Sequence, residues 1–546
     1  MKKLAIVLLL FIISFNVHII AQDVFYSINN TQVYAFLDEL ALQHFIEIND
    51  VVKPWSRKLI AEKLNEALLQ KDKLSKGQQQ QLDFFLRDFN KDLLPAKSFK
   101  KRIDLYSYKD SVFNFTVNPV GGFTYYVNNA DKMYRQYAGG EFWATLGKHL
   151  SMYASFRDIT DSRVVADDQY RNDEPGFNYK YLRVTNPKSK GGSFDETRGA
   201  IIYSFKWGSF GIIKDNLVWG TNYHGSNIIS NKAPSFARIN LHLKPTNWLE
   251  FNYFHAWLNS EVLNDSAAYI SGPMNEKRKV YFAKYFAANM FTVTPFKKFN
   301  FSFGNSIVYS DQLELACFIP FMEFKSLDHS KTGQGSNYSG QNSQLFFNIS
   351  SRNIKYVHLY TSLFIDEISL GRAFNKEKQS NFLSFKIGSA VSLPFSPTST
   401  FIVEYTRSNP IAYRHFVETT TYASNKFTLG NYLIDNAQEI YLGIKTRPFP
   451  KLYAEAGFTQ AAIGPAYAYT GKDQSGLGLP FLKTKEYEST SVKVSLRFEI
   501  INDICINAGV LMQENKGAMA STYTAPFYYG KNGKTATLFG GFNIGF

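Results

Sequence analysis

From about Val112 onward the chain alternates apolar and polar residues with a period of two, as expected of strands that are wet on one face only. Phe299, Phe301 and Phe303 alternate with Asn300, Ser302 and Gly304. Val492, Val494, Leu496, Phe498 and Ile500 alternate with Lys493, Ser495, Arg497 and Glu499, and Leu452, Ala454, Ala456 and Phe458 with Tyr453, Glu455, Gly457 and Thr459. Charged residues at every second position do not fit a dry core. They fit a hydrated lumen, with the apolar positions turned to lipid. Near the end, Leu538, Gly540, Phe542, Ile544 and Phe546 share one face, with Phe539, Gly541, Asn543 and Gly545 on the other. Counted back from there, such runs predict an all-β transmembrane barrel of about 18 antiparallel strands, an even number as in single-chain bacterial barrels. Short connections (148, 207–208, 245–247, 294–297, 351–354, 448–450, 501–503) alternate with long polar ones (158–198, 259–278, 310–341, 409–435, 460–486, 514–536). Tight turns on one rim and long loops on the other place both termini on the short-turn, periplasmic side.

The N-terminal part follows a different period. In 31–44, Val33, Phe36, Leu37, Leu40 and Ala41 lie on one helical face. Pro54-Trp55-Ser56 interrupts it, and Ser56 can cap a second helix bearing Leu59, Ile60, Leu64 and Leu68. Ser75 with Gln78 forms a capping box ahead of Leu82, Phe85, Leu86 and Phe89. Residues 22–100 therefore read as an α-helical bundle on the periplasmic side and 101–546 as the barrel. Residues 1–21 read as a secretory signal, with Lys2 and Lys3 ahead of an apolar run over 4–15 and a small residue, Ala21, at the cut. The closing Phe546 resembles the terminal aromatic of outer-membrane barrels.

Aromatic residues make up 16% of the chain, with 49 Phe and 34 Tyr, a surplus that interfacial girdles would use. The net charge of +14 points to lipopolysaccharide phosphates or an acidic surface polymer as partners, and an exported barrel excludes nucleic acid. Scattered solvated lysines account for part of that excess. Only Cys317 and Cys505 occur, so a disulfide stays open and no Cys/His cluster predicts a metal site. No nucleophile elbow, phosphate-binding loop or zinc-protease motif is present. Neither catalytic residues nor a cofactor are expected. His255, alone on a strand, reads as structural.

One segment, 210–230, concentrates candidate binding chemistry. Trp219, Tyr223 and His224 sit among Asn216, Asn222, Ser226 and Asn227. Flat rings beside amides and hydroxyls suit a sugar, by stacking on its C–H face and bonding its hydroxyls. An aromatic belt with a glycine-turned loop explains the same residues. Residues 211–233, continuing Pro234-Ser-Phe-Ala-Arg-Ile-Asn-Leu-His-Leu-Lys-Pro and Trp248-Leu-Glu-Phe-Asn-Tyr-Phe-His-Ala-Trp-Leu, resemble the capsule assembly protein Wzi family in its Bacteroidetes-type members. The resemblance runs over nearly the whole mature chain, including Pro54-Trp55-Ser56-Arg57. It implies an 18-stranded barrel, a periplasmic bundle and a lectin-like role in holding capsular polysaccharide at the cell surface. The expected protein is a monomer in the outer membrane, with Trp219, Asn222, Tyr223, His224 and Arg238 as the candidate polysaccharide-binding residues. An uptake porin and a lipid or glycan hydrolase remain the alternatives, and the identity of the polysaccharide is not legible.

Overall fold

The structure, a computed structural model, describes residues 23–93, 102–177, 191–273, 275–332, 340–368, 371, 381–469 and 479–545. The expected signal segment and Phe546 lie outside the described residues. Eighteen antiparallel strands, from Phe113–Val127 to Lys534–Ile544, form one closed barrel in sequence order. The last strand closes on the first, with Leu538 opposite Val127 and Ile544 opposite Gly121. Closure leaves no unpaired edge, which is what a strand wall in lipid requires.

The alternation read from the sequence sorts the two faces. Val492, Val494, Leu496 and Phe498 are each about two-fifths exposed on the outer wall. Opposite them in the pleat, Lys493 and Ser495 line the interior. Short and long connections sort onto opposite rims with one exception. The first hairpin turns at 128–131, where the Asn128 side chain accepts from the backbone of Ala130 and Asp131 and keeps the turn tight.

A second departure concerns the loop after Phe299–Ser310. Instead of standing in solvent, residues 311–332 fold down the outside of the wall. Asn289 and Asn305 point outward, where lipid would leave their amides unpaired. The strap resolves this: Asn289 donates to the carbonyls of Pro320 and Met322 at 3.0 and 2.8 Å, and Asn305 accepts from Phe324 N at 2.8 Å. Tyr253 donates to Cys317 O, and His255 stacks on Phe318 and bonds Tyr309. Backbone at membrane depth is thus satisfied by side chains of the wall. Cys317 and Cys505 remain separate buried thiols.

Among the described residues, three α-helices precede the barrel: α1 (Thr31–Leu42), α2 (Arg57–Leu68) and α3 (Lys76–Leu93). Ser56 caps α2 by accepting from Leu59 N, and Ser75 and Gln78 exchange the two bonds of a capping box before α3. Their shared core holds Phe36, Leu40, Ile60, Leu64, Phe85 and Phe89. The bundle sits on the short-turn rim. Glu39 of α1 accepts from Arg447, Lys451 N donates to Gln81 of α3, Tyr26 donates to Asp503, and His44 meets the Arg352 carbonyl at 2.6 Å.

Candidate functional site

The segment 216–235 leaves the wall at Asp215 and returns at Phe236, which pair directly with each other. Between them it turns into the lumen. Val218 and Trp219 form a short antiparallel ladder with Lys53 and Val52 of the bundle, and Gly220 N donates to Val51 O. Gly220 takes φ +99°, and a Cβ there would stand 2.9 Å from Ser226 Oγ, so the turn admits only glycine without rearrangement. Beyond it the loop reaches the far wall. Thr221 N donates to Asn348, Tyr223 N and His224 N donate to the two oxygens of Glu404 at 2.7 and 3.0 Å, and Asn227 bonds Ser362 and Ser384.

This plug is glued to one half of the barrel only. Trp219, Ile228 and Ile229 pack with Tyr413, Tyr422 and Leu429 of a second inward loop, 409–436, against Phe254, Phe286, Phe346 and Phe364 of the wall. The result is a dry core inside a barrel whose inner face otherwise reads as polar. Below it, Arg352 donates to both Asp38 and Asp50 at 2.8 Å, and Thr221 and Tyr223 also bond these two carboxylates. His358 completes the cluster through Tyr223. The guanidinium supplies the positive charge that these carboxylates need.

The other half of the lumen keeps a cavity of about 290 Å³, near the small end of the range for ligand pockets. It lies under the long loops. Tyr126, Tyr523 and Tyr528 are half-buried and leave ring surface toward it, while Tyr432, Tyr441 and Tyr487 are buried in its wall. Lys493, Arg171, Glu174, Glu455 and Gln513 add charge and hydrogen-bonding groups. The Arg171 guanidinium lies 4.6 Å above the Tyr523 ring. Aromatic faces interleaved with donors and acceptors of both signs can hold a polyhydroxylated, partly ionised ligand without covalent chemistry.

The five residues singled out in the sequence do not converge on this cavity. Trp219 is 1% exposed, in the plug core, with Phe254 and Phe346 edge-on to its ring. Arg238 is equally buried and donates to the Asp215 carbonyl. Asn222 bonds the Gly220 carbonyl and stabilises the turn. Tyr223 joins the bundle through Asp38. Only His224 lines the cavity, stacked on Tyr441 with centroids 4.3 Å apart. Lys493 was visible as an inward position of its strand, but nothing in the sequence showed that tyrosines from strands and loops far apart would be brought together with it.

His224 also makes the plug sensitive to pH. Burial works against its charged form, but Glu439, 3.6 Å away, outweighs burial and raises its pKa; Lys386 opposes. A pKa raised above the unfolded value of ~6.5 adds stability that is complete below that value and is lost as pH climbs through the folded one. Amide exchange of residues 221–225, corrected for the intrinsic rate, is therefore expected to accelerate on the alkaline side of ~6.5. His224→Gln is expected to flatten that response. An unchanged pH dependence in the variant would contradict the role given to His224.

No family model matches the sequence, and no curated protein matches it. Among solved structures, OccAB4 of Acinetobacter baumannii aligns over 80% of this chain and 98% of its own at 7% identity and TM-score 0.41. OprD of Pseudomonas aeruginosa aligns over 81% and 98% at 9% identity and TM-score 0.41. Wzi of Escherichia coli, described as an outer-membrane protein involved in group 1 capsule assembly and a carbohydrate-binding β-barrel, aligns over 96% of this chain and all of its own at TM-score 0.57 and 11% identity. At that identity the likeness is one of architecture: this chain has the fold of an outer-membrane barrel like that of Wzi.

Proposed function

We propose that the protein binds a surface polysaccharide non-covalently from the long-loop side and helps retain it on the cell. One observation carries the reading: the plug fills one half of the lumen with apolar core and leaves, in the other half, a cavity edged by tyrosines and charged side chains. The carbohydrate binding described for Wzi, which shares the architecture, supports it. In this reading the bundle and both termini face the periplasm, the long loops face outward, and Tyr528, Tyr523, Lys493 and Arg171 contact the polymer. Many weak contacts along a repeating chain add through effective concentration, so a modest single site suffices for retention.

The test is made in cells that produce the polymer. Deleting the protein is expected to leave polymer synthesised and exported but shifted from the cell pellet into the medium. Restoring Tyr528→Ala in place of the native chain should rescue retention only in part, since one aromatic contact contributes about 0.5–1.5 kcal/mol. Polymer that stays fully cell-bound without the protein, or is not made at all, would contradict the proposal.

A further inference from the structure

A second and larger cavity, about 840 Å³, opens at the opposite end, between α2, the loop 47–55 and the turns near 206, 244 and 297. Four of the chain's six tryptophans line it: Trp55, Trp207, Trp219 and Trp248. Trp55 Nε1, Trp219 Nε1, Arg238 Nε and Asn252 Nδ2 are buried N–H donors on lining residues, and none has a partner. Among the described residues, no lining residue leaves a buried acceptor unpaired. These donors are sealed within the cavity wall, on residues whose other atoms line it. The lining carries more cations than acids: Asp23, Glu47, Glu62 and Glu250 also line the cavity, but Glu62 faces Lys58 and Glu250 bonds His242. Lys206, Lys244, Lys297 and Lys298 line its mouth and make no ion pair among the described residues.

We propose that this vestibule is a second binding site and that it takes an acidic saccharide. Its carboxylates would meet the lysines at the mouth, and its C–H faces the exposed indoles of Trp207 and Trp248. The lysines argue for an anion by themselves; the saccharide class rests on the function proposed above. The depth of the cavity favours a saccharide over a lipid headgroup. Trp219 and Arg238 lie at the level of the plug and dry core, beyond the reach of a headgroup whose acyl chains stay in the bilayer. The plug divides the two sites, with Trp219 on the vestibule side and His224 on the upper side.

The tryptophans make the vestibule separately readable, because none lines the upper cavity. A short oligogalacturonate added to the purified full chain in neutral detergent is expected to shift tryptophan emission saturably, and a neutral malto-oligosaccharide to do so much more weakly. Lys244→Gln with Lys297→Gln, both exposed positions, should weaken the apparent Kd about tenfold or more, as expected for lost charge-assisted bonds. Lys493→Gln, in the upper cavity, should leave the emission response in place. An emission response that survives the double lysine variant, or is equal with the neutral sugar, overturns the proposal. So does one abolished by Lys493→Gln or reproduced by phosphatidylglycerol micelles. Loss of oligogalacturonate binding at the upper cavity alone, measured calorimetrically, would instead count against the retention function and leave the vestibule standing.

Discussion

Excising the plug will turn a closed barrel into a channel. Because Asp215 and Phe236 are paired, residues 216–235 can be replaced by a two-residue Asn-Gly turn that keeps the wall in register. The native loop forms the partition between the vestibule and the upper cavity, and its Trp219, Ile228 and Ile229 supply much of the dry core. Without it the two cavities join along the half of the wall that is already polar. In planar bilayers the intact protein is expected to give no stable conductance steps and the excised barrel to give clear ones, with heat-modifiable gel mobility as the control for folding. Steady conductance from the intact protein would favour a porin. A folded but silent excised barrel would show that the bundle and the loop 409–436 seal the lumen without the plug.

Arg352→Met will release the bundle from the rim. Arg352 is 3% exposed, and its guanidinium Nη2 donates to both Asp38 and Asp50, the two acids that also hold Tyr223 and Thr221 of the plug. Removing one partner from a buried ion cluster costs about 3–5 kcal/mol, because the remaining charges lose compensation without regaining water. The expected result is cleavage of the N-terminal helices by trypsin under conditions where the strands stay intact. The pH dependence carries a sign as well. Burial works to raise the pKa of Asp50, but Arg352, with His358 and Lys53, outweighs it and holds the carboxyl well below the usual range. A depressed carboxyl contributes stability that is present above its unfolded value of ~3.9 and is lost as pH falls through the folded value. Without the guanidinium, burial dominates and the sign reverses: the variant should be loosest near neutral pH, where a charged Asp50 is left uncompensated, and acidification that protonates Asp50 should restore part of the protection. Equal protease protection at all pH values would contradict this.

The wall was legible because its signal is local. Phe299, Phe301 and Phe303 announce an outer face within five residues, and Ser75 with Gln78 announces a helix start within four. The interior was not legible, because its partners are remote. Trp219 carries every feature of a sugar platform in its own neighbourhood. What decides its role is Val52 on one side and Phe254 and Phe346 on the other, and no spacing rule joins them. The strap is an intermediate case. Outward-pointing Asn289 and Asn305 are anomalies visible in the alternation, but the carbonyls that satisfy Asn289 belong to a loop that composition alone assigns to solvent. The cavity tyrosines were hidden for the same reason as the plug: Tyr126, Tyr441 and Tyr528 come from widely separated parts of the chain.

Calorimetric titration of the purified protein with fragments of its host's surface polysaccharide tests the central claim most directly. The native chain is expected to bind. Lys493→Gln combined with Tyr528→Ala is expected to weaken binding at least about tenfold, from the loss of a charged bond of roughly 1.5–3 kcal/mol and an aromatic contact. Heat-modifiable mobility should be unchanged in that variant. No binding by the folded native protein, or equal binding by the double variant, would contradict the account.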